Sequence, residues 1–111
     1  MHLYMTELTV SDFAAAVAWH RDRLGLRVLL LDEANRFALL QGADGGRLAL
    51  KAGTPRPGGV TLHFEVADLA AELARLGATD SVVTSSSEGY REAFLEDPDG
   101  YAVGLFEWTR P

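Results

Sequence analysis

An α+β fold of two tandem βαβββ modules is what this 111-residue chain predicts, and three observations carry the prediction. The stretch Phe94–Trp108 spells a strand, a tight turn and a second strand. Pro98 presets φ at the second turn position, Asp97 can accept from backbone N–H groups, and Gly100 supplies the left-handed residue. The order strand, acid-capped helix, three strands runs twice along the chain at a steady offset. Asp12 and Asp68 are 56 residues apart, Asp44 and Asp99 are 55 apart, and so are Ala49 and Gly104. Between the two passes, residues 53–59 carry Gly53, Pro55, Pro57, Gly58 and Gly59, which propagate neither a helix nor a central strand. The expected organisation is therefore one domain, with module one at 1–52, a linker at 53–59 and module two at 60–111.

Each element has its own warrant. Leu3–Val10 alternates as a strand, and Asp12 then caps a helix on which Phe13, Ala16, Val17, His20 and Leu24 recur at helical spacing up to Gly25. Arg27–Leu31, Phe37–Gln41 and Arg47–Lys51 read as strands, the last two joined by a turn at Ala43-Asp44-Gly45-Gly46. After the linker, Val60–Val66 is a strand, Asp68 caps a helix carrying Leu69, Leu73 and Leu76, and Gly77 ends it. Ser81–Thr84 begins the next strand, Ser85–Arg91 reads as a polar loop able to act as a mobile lid, and Glu92–Leu95 leads into the final hairpin. In the last strand Val103, Leu105 and Glu107 share one face, and Ala102, Gly104, Phe106 and Trp108 the other. A half of about fifty residues leaves one sheet face uncovered on its own, so the halves are expected to pair, within or between chains.

Composition narrows the function classes. Ten Lys and Arg against sixteen Asp and Glu, a formal charge of −6, would repel a phosphate backbone, so nucleic acid is not an expected partner. The absence of cysteine removes disulfides, thiolate catalysis and thiolate-bound zinc. Without a basic N-terminal region before an apolar run, or eighteen consecutive apolar residues, the expectation is a cytoplasmic protein with no membrane partner. No glycine-rich phosphate loop, nucleophile elbow or nucleotide fingerprint occurs.

Asp97-Pro98-Asp99-Gly100-Tyr101 within Phe94–Glu107 resembles the last hairpin of the vicinal oxygen chelate superfamily of glyoxalases, bleomycin-resistance proteins and extradiol dioxygenases. Leu8-Thr9-Val10-Ser11-Asp12 with Leu24-Gly25-Leu26, and Phe64-Glu65-Val66-Ala67-Asp68 with Gly77, match the same pattern, so the resemblance spans nearly the whole chain. It implies paired half-barrel sheets around a cleft, and a homodimer. Metal-binding members carry His or Glu on the first and fourth strand of each module, which here correspond to Met5, Ala49, Thr61 and Gly104. None suits a divalent cation: a thioether is soft, a threonine hydroxyl is a weak neutral donor, and Ala and Gly offer no side-chain donor. The resemblance is thus to the metal-free, bleomycin-resistance-like members, and neither metal nor cofactor is expected.

The candidate ligand-binding residues are Met5, Glu7, Ala49, Thr61, His63, Glu65, Tyr90, Gly104, Phe106 and Trp108. Ala49 and Gly104 leave space on the cleft floor beside Phe106 and Trp108, as a site stacking a flat ligand needs. Close packing over Gly104 is the equally weighted alternative. Glu7 and His63 are repeat equivalents, 56 apart, and are the candidate catalytic pair, against a plain structural ion pair. His20, where relatives carry tyrosine, reads as an inward, hydrogen-bonded histidine, Trp19 as packing or a dimer contact, and Arg47 and Lys51 as cations at the cleft rim. The expected function is binding of a small organic molecule, planar or cationic, with sequestration of an antibiotic as one form of it. The alternatives are a lyase or isomerase of the same superfamily using Glu7 and His63 or an unusual metal site, and a structural interaction module.

Overall fold

A computed structural model describes residues 1–109. The chain divides into two compact units, Met1–Arg56 with Asp97–Asp99, and Pro57–Glu96 with the segment from Gly100.

The first unit contains β1 (Thr6–Val10), α1 (Phe13–Ala18) continued by a π-helical turn (Trp19–Arg23), β2 (Arg27–Asp32), β3 (Phe37–Gln41) and β4 (Arg47–Ala52). Its four-stranded sheet has the order β1-β4-β3-β2, with β1 parallel to β4 and the rest antiparallel. Alternation sends Leu8, Val10, Ala38, Leu40, Leu48 and Leu50 to one face, where they are buried with Phe13, Ala16 and Val17 of α1. The Asp12 side chain accepts from the Ala15 N–H, as an N-cap should. Leu29, Leu30 and Leu31 on the edge strand β2 all stay exposed, and the register shifts between Val28 and Leu30.

The second unit repeats the scheme with β5 (Thr61–Glu65), α2 (Leu69–Arg75), β6 (Thr84–Ser86), β7 (Tyr90–Glu96) and β8 (Ala102–Trp108), in the order β5-β8-β7-β6. Asp68 caps α2 by accepting from the Ala71 N–H, matching Asp12. The repeat holds at the level of register. Ala49 lies between Glu7 and Leu39 in the first sheet, and Gly104 lies between His63 and Phe94 in the second. Leu69, Leu73, Leu76, Ala93, Tyr101, Val103 and Leu105 are the buried apolar residues of this unit.

Four local expectations change. Strand β1 begins at Thr6, not Leu3, and residues 1–5 are outside it. The helix that reaches toward Gly25 does not stay α-helical: it widens into the π turn at Trp19, and Gly25 takes φ 74° after it. The expected strand at Ser81 starts only at Thr84, and the expected lid at 85–91 is instead a short hairpin. Ser85 pairs Arg91 and Ser86 pairs Tyr90, while the Ser86 hydroxyl accepts from the Glu88 N–H and Gly89 takes φ 94°. The Ser86 hydroxyl and a left-handed Gly89 close this turn, so a polar run that reads as loop is strand on both sides of three residues.

Candidate functional site

Strand period places Tyr90, Glu92, Phe94 and Glu96 of β7 on the same sheet face as Thr61, His63 and Glu65 of β5 and Ala102, Gly104, Phe106 and Trp108 of β8. The opposite face packs under α2. There Glu107 accepts from the Leu69 N–H at 3.1 Å and pairs with Arg91; these two contacts, in that order, hold its carboxyl below the usual range. A pocket of about 260 Å³ lined by Leu69, Ala70, Leu73, Thr79, Val83 and Arg91 opens on this helix side.

The first face carries an aromatic cluster. Tyr90, Phe106 and Trp108 meet edge to face, with centroids 5.9 Å apart for Tyr90–Phe106 and Tyr90–Trp108 and 5.5 Å for Phe106–Trp108. Phe94 and Trp108 are about half exposed, at 50% and 47%. Large aromatic rings held rigid by one another yet open to solvent form a surface on which a flat molecule can stack.

A polar pair crosses the middle of the same face. His63 Nδ1 lies 2.6 Å from Glu92 Oε2, and the imidazole stands edge-on to Phe94 at 5.9 Å. Glu92 is buried at 8%, whereas the His63 side chain is about half exposed. The bond passes over Gly104. A Cβ there would lie 2.7 Å from Glu92 Oε2, 3.1 Å from His63 Nδ1 and 3.0 Å from Phe94 Cε1. The room over Gly104 is therefore occupied by these side chains, which is the close-packing reading of that glycine and not an open floor.

Glu7, Ala49, Arg47, Lys51 and His20 belong to the first unit. Glu7 and Ala49 lie on the non-helical face of the first sheet, and the partner His63 holds is Glu92 of its own unit. Arg47 stacks over Tyr4 at 4.6 Å, and Lys51 Nζ donates to the Asn35 carbonyl at 2.8 Å, so both cations have intramolecular work. His20 is fully buried as expected; Nδ1 donates to the Ala16 carbonyl at 2.8 Å, and Nε2 sits 3.5 Å from Asp97 Oδ2. Burial lowers its pKa, and the Ala16 bond and the Asp97 charge only partly oppose this.

Glu92 is the site residue that sequence reasoning missed. Its signal was present: counting back from the final hairpin, Glu92 falls opposite Phe106 and so on the aromatic face. Metal ligation finds no support in the donors. Met5, Ala49, Thr61 and Gly104 supply nothing for a divalent cation, and no group of three or more His, Cys, Asp or Glu among the described residues could hold one.

The comparisons with known proteins agree with this architecture. Among solved structures, the antibiotic binding protein TnmS3 from Streptomyces sp. CB03234 superposes with a TM-score of 0.79 at 24% identity, over 97% of this chain and 96% of the other. A lactoylglutathione lyase from Agrobacterium tumefaciens gives 0.75 at 22% identity over 96% and 92%. TioX from Micromonospora sp. ML1 gives 0.73 at 22% over 96% and 99%. At these identities the likeness is one of fold. No curated protein matches the chain. The sequence profile of the glyoxalase-like domain matches residues 5–106, so the chain belongs to the glyoxalase-like domain family, within the vicinal oxygen chelate superfamily.

Proposed function

We propose that the protein binds a planar organic small molecule on the aromatic face of its second sheet and sequesters it without turnover. The observation that carries this reading is the Tyr90–Phe106–Trp108 cluster, rigid through edge-to-face contacts and solvent-exposed at Trp108. Thr61, His63 and Glu65 share that face and border the ligand, Gly104 lies beneath the His63–Glu92 pair, and Glu7 and Ala49 occupy the corresponding face of the first sheet, with Met5 just ahead of β1. The fold neighbour described as antibiotic binding supports the same class of function, with an antibiotic as one candidate ligand. The working assembly in this reading is a cytoplasmic homodimer.

A second reading, proton-transfer catalysis by a lyase or isomerase, is favoured by one feature, the 2.6 Å His63–Glu92 pair. The two readings separate by stoichiometry: a binder takes up one ligand per site and releases it unchanged, and an enzyme converts an excess.

The test is a thermal-shift screen of planar aromatics. A ligand at a hundred times its dissociation constant stabilises by about 2.7 kcal/mol, a rise of roughly 10 °C in a domain of this size. Trp108→Ala, at an exposed position, should keep the fold and remove the shift. A screen with no shifting compound, or a shift that survives Trp108→Ala and Phe106→Ala together, would refute the stacking surface.

A further inference from the structure

We propose that His63, held by Glu92, is the specificity determinant for an acidic hydroxyl, a phenol or enol, so that the ligand is a hydroxylated planar aromatic; this rests on the stacking reading above. The position is built and not incidental. Glu92 is a buried carboxylate, costly to leave without a donor, and its side-chain partner is the His63 ring. The bond can cross β8 only because residue 104 has no Cβ to stand between them. A carboxylate at Nδ1 fixes the proton there, and Nε2 is then the ring atom left to meet a ligand. None of the described hydrogen bonds engages Nε2, and half of the side chain is open to solvent.

The placement suits a substituent on a stacked ring system. His63 pairs with Gly104, two residues along β8 from Phe106. One strand spacing and two residues of rise separate the imidazole from that ring's position by about 8 Å, on the scale of a fused polycyclic aromatic.

Charge selects among possible substituents. An acidic hydroxyl can donate to Nε2. If its proton passes across fully, Nε2–H holds the phenolate while Glu92 balances the imidazolium; the proton count and net charge are the same in both forms. A methyl ether has no proton to give, and its oxygen faces a lone pair. A permanently anionic group such as a sulfonate brings a charge toward a face that already carries Glu65, Glu92 and Glu96, on a chain of net charge −6.

The probes are 2-hydroxyanthraquinone, 2-methoxyanthraquinone and anthraquinone-2-sulfonate, titrated against Trp108 fluorescence in a Trp19→Phe background, with the hydroxy compound's absorption band as a second signal. The expected result is at least tenfold tighter binding of the hydroxy compound than of the other two, with a bound spectrum shifted toward the phenolate. His63→Gln should reduce its affinity to that of the ether and abolish the spectral shift. Glu92→Gln, which frees the ring to turn, should do so partly. Equal binding of hydroxy and methoxy compounds, or a preference that survives His63→Gln, overturns the hydroxyl assignment and leaves the stacking surface standing. If none of the three quenches Trp108 or raises the melting temperature, the stacking reading falls and this inference with it.

Discussion

Adding one methyl group at Gly104 should uncouple the His63–Glu92 pair. The Cβ of Gly104→Ala would sit 2.7 Å from Glu92 Oε2, closer than real Cβ contacts come, and 3.0 Å from a Phe94 ring carbon. The carboxylate, at the end of a flexible side chain, is the atom that moves. Its displacement leaves a largely buried acceptor without its donor, a cost of about 1–3 kcal/mol. The imidazole regains water because it is half exposed, so its side of the loss is small. Alanine in a strand recovers roughly 0.5–1 kcal/mol of the entropy that glycine loses on folding. The net expectation is a destabilisation of about 1–2 kcal/mol, seen as a fall in melting temperature of roughly 5–8 °C and as a changed ¹⁵N signature of the His63 ring. A double-mutant cycle isolates the cause: with Glu92→Ala already present, Gly104→Ala should be neutral or slightly stabilising. If the substitution costs the same in both backgrounds, the glycine is serving Phe94 or the strand itself, and the reasoning about the polar pair is wrong.

Three further outcomes can be checked directly. Because burial holds the His20 pKa below its ordinary 6.5, the fold favours the neutral ring, and this contribution is full above pH 6.5 and lost as pH falls below it; urea midpoints from pH 7.5 to 5 should decline in the parent and less steeply in His20→Gln. Asp68→Ala should cost about 1 kcal/mol in denaturant unfolding by removing the acceptor for the Ala71 N–H, and Asp12→Ala a similar amount; a neutral result at both would deny the caps any energetic role. Light scattering at micromolar concentration should give about 24 kDa, twice the 12.0 kDa chain, and Leu30→Lys on the exposed edge strand should shift it toward monomer if β2 lies in the interface.

What was legible in the sequence followed from local chemistry. The turn at Asp97–Gly100, the two aspartate caps and the 55–56 residue offset are written in neighbouring residues, and all three reappear as geometry. Face assignment in β8 was equally direct, since alternation along one strand needs no partner. The less accessible parts depended on residues distant in sequence. Nothing near His63 announces Glu92, 29 positions later, and the pairing becomes visible only when β5, β8 and β7 are laid side by side. His20 looked inward from its helical position, but Asp97 as its neighbour lies 77 positions away. The π turn at Trp19–Arg23 leaves no mark in apolar spacing, because the same residues keep the same face for one turn in either helix type. The Ser-rich β6 failed for a different reason: strand pairing with β7 overrides the weak intrinsic preference of serine.

The turn of the last hairpin has a consequence for biosynthesis. Asp97–Asp99 belong with the first unit: Asp99 accepts from the backbone N–H and hydroxyl of Ser11, and Asp97 stands beside His20. Ser11 leaves the ribosome 88 residues ahead of Asp99, so the segment up to Arg56 emerges yet lacks three residues of its own unit until the final hairpin has been made. Closing a loop of this length late makes the native contacts slow to assemble, and keeps the first sheet provisional while the second is being made. A nascent chain stalled before residue 97 should accordingly remain protease-sensitive around His20, and become resistant once the final hairpin has been released from the exit tunnel.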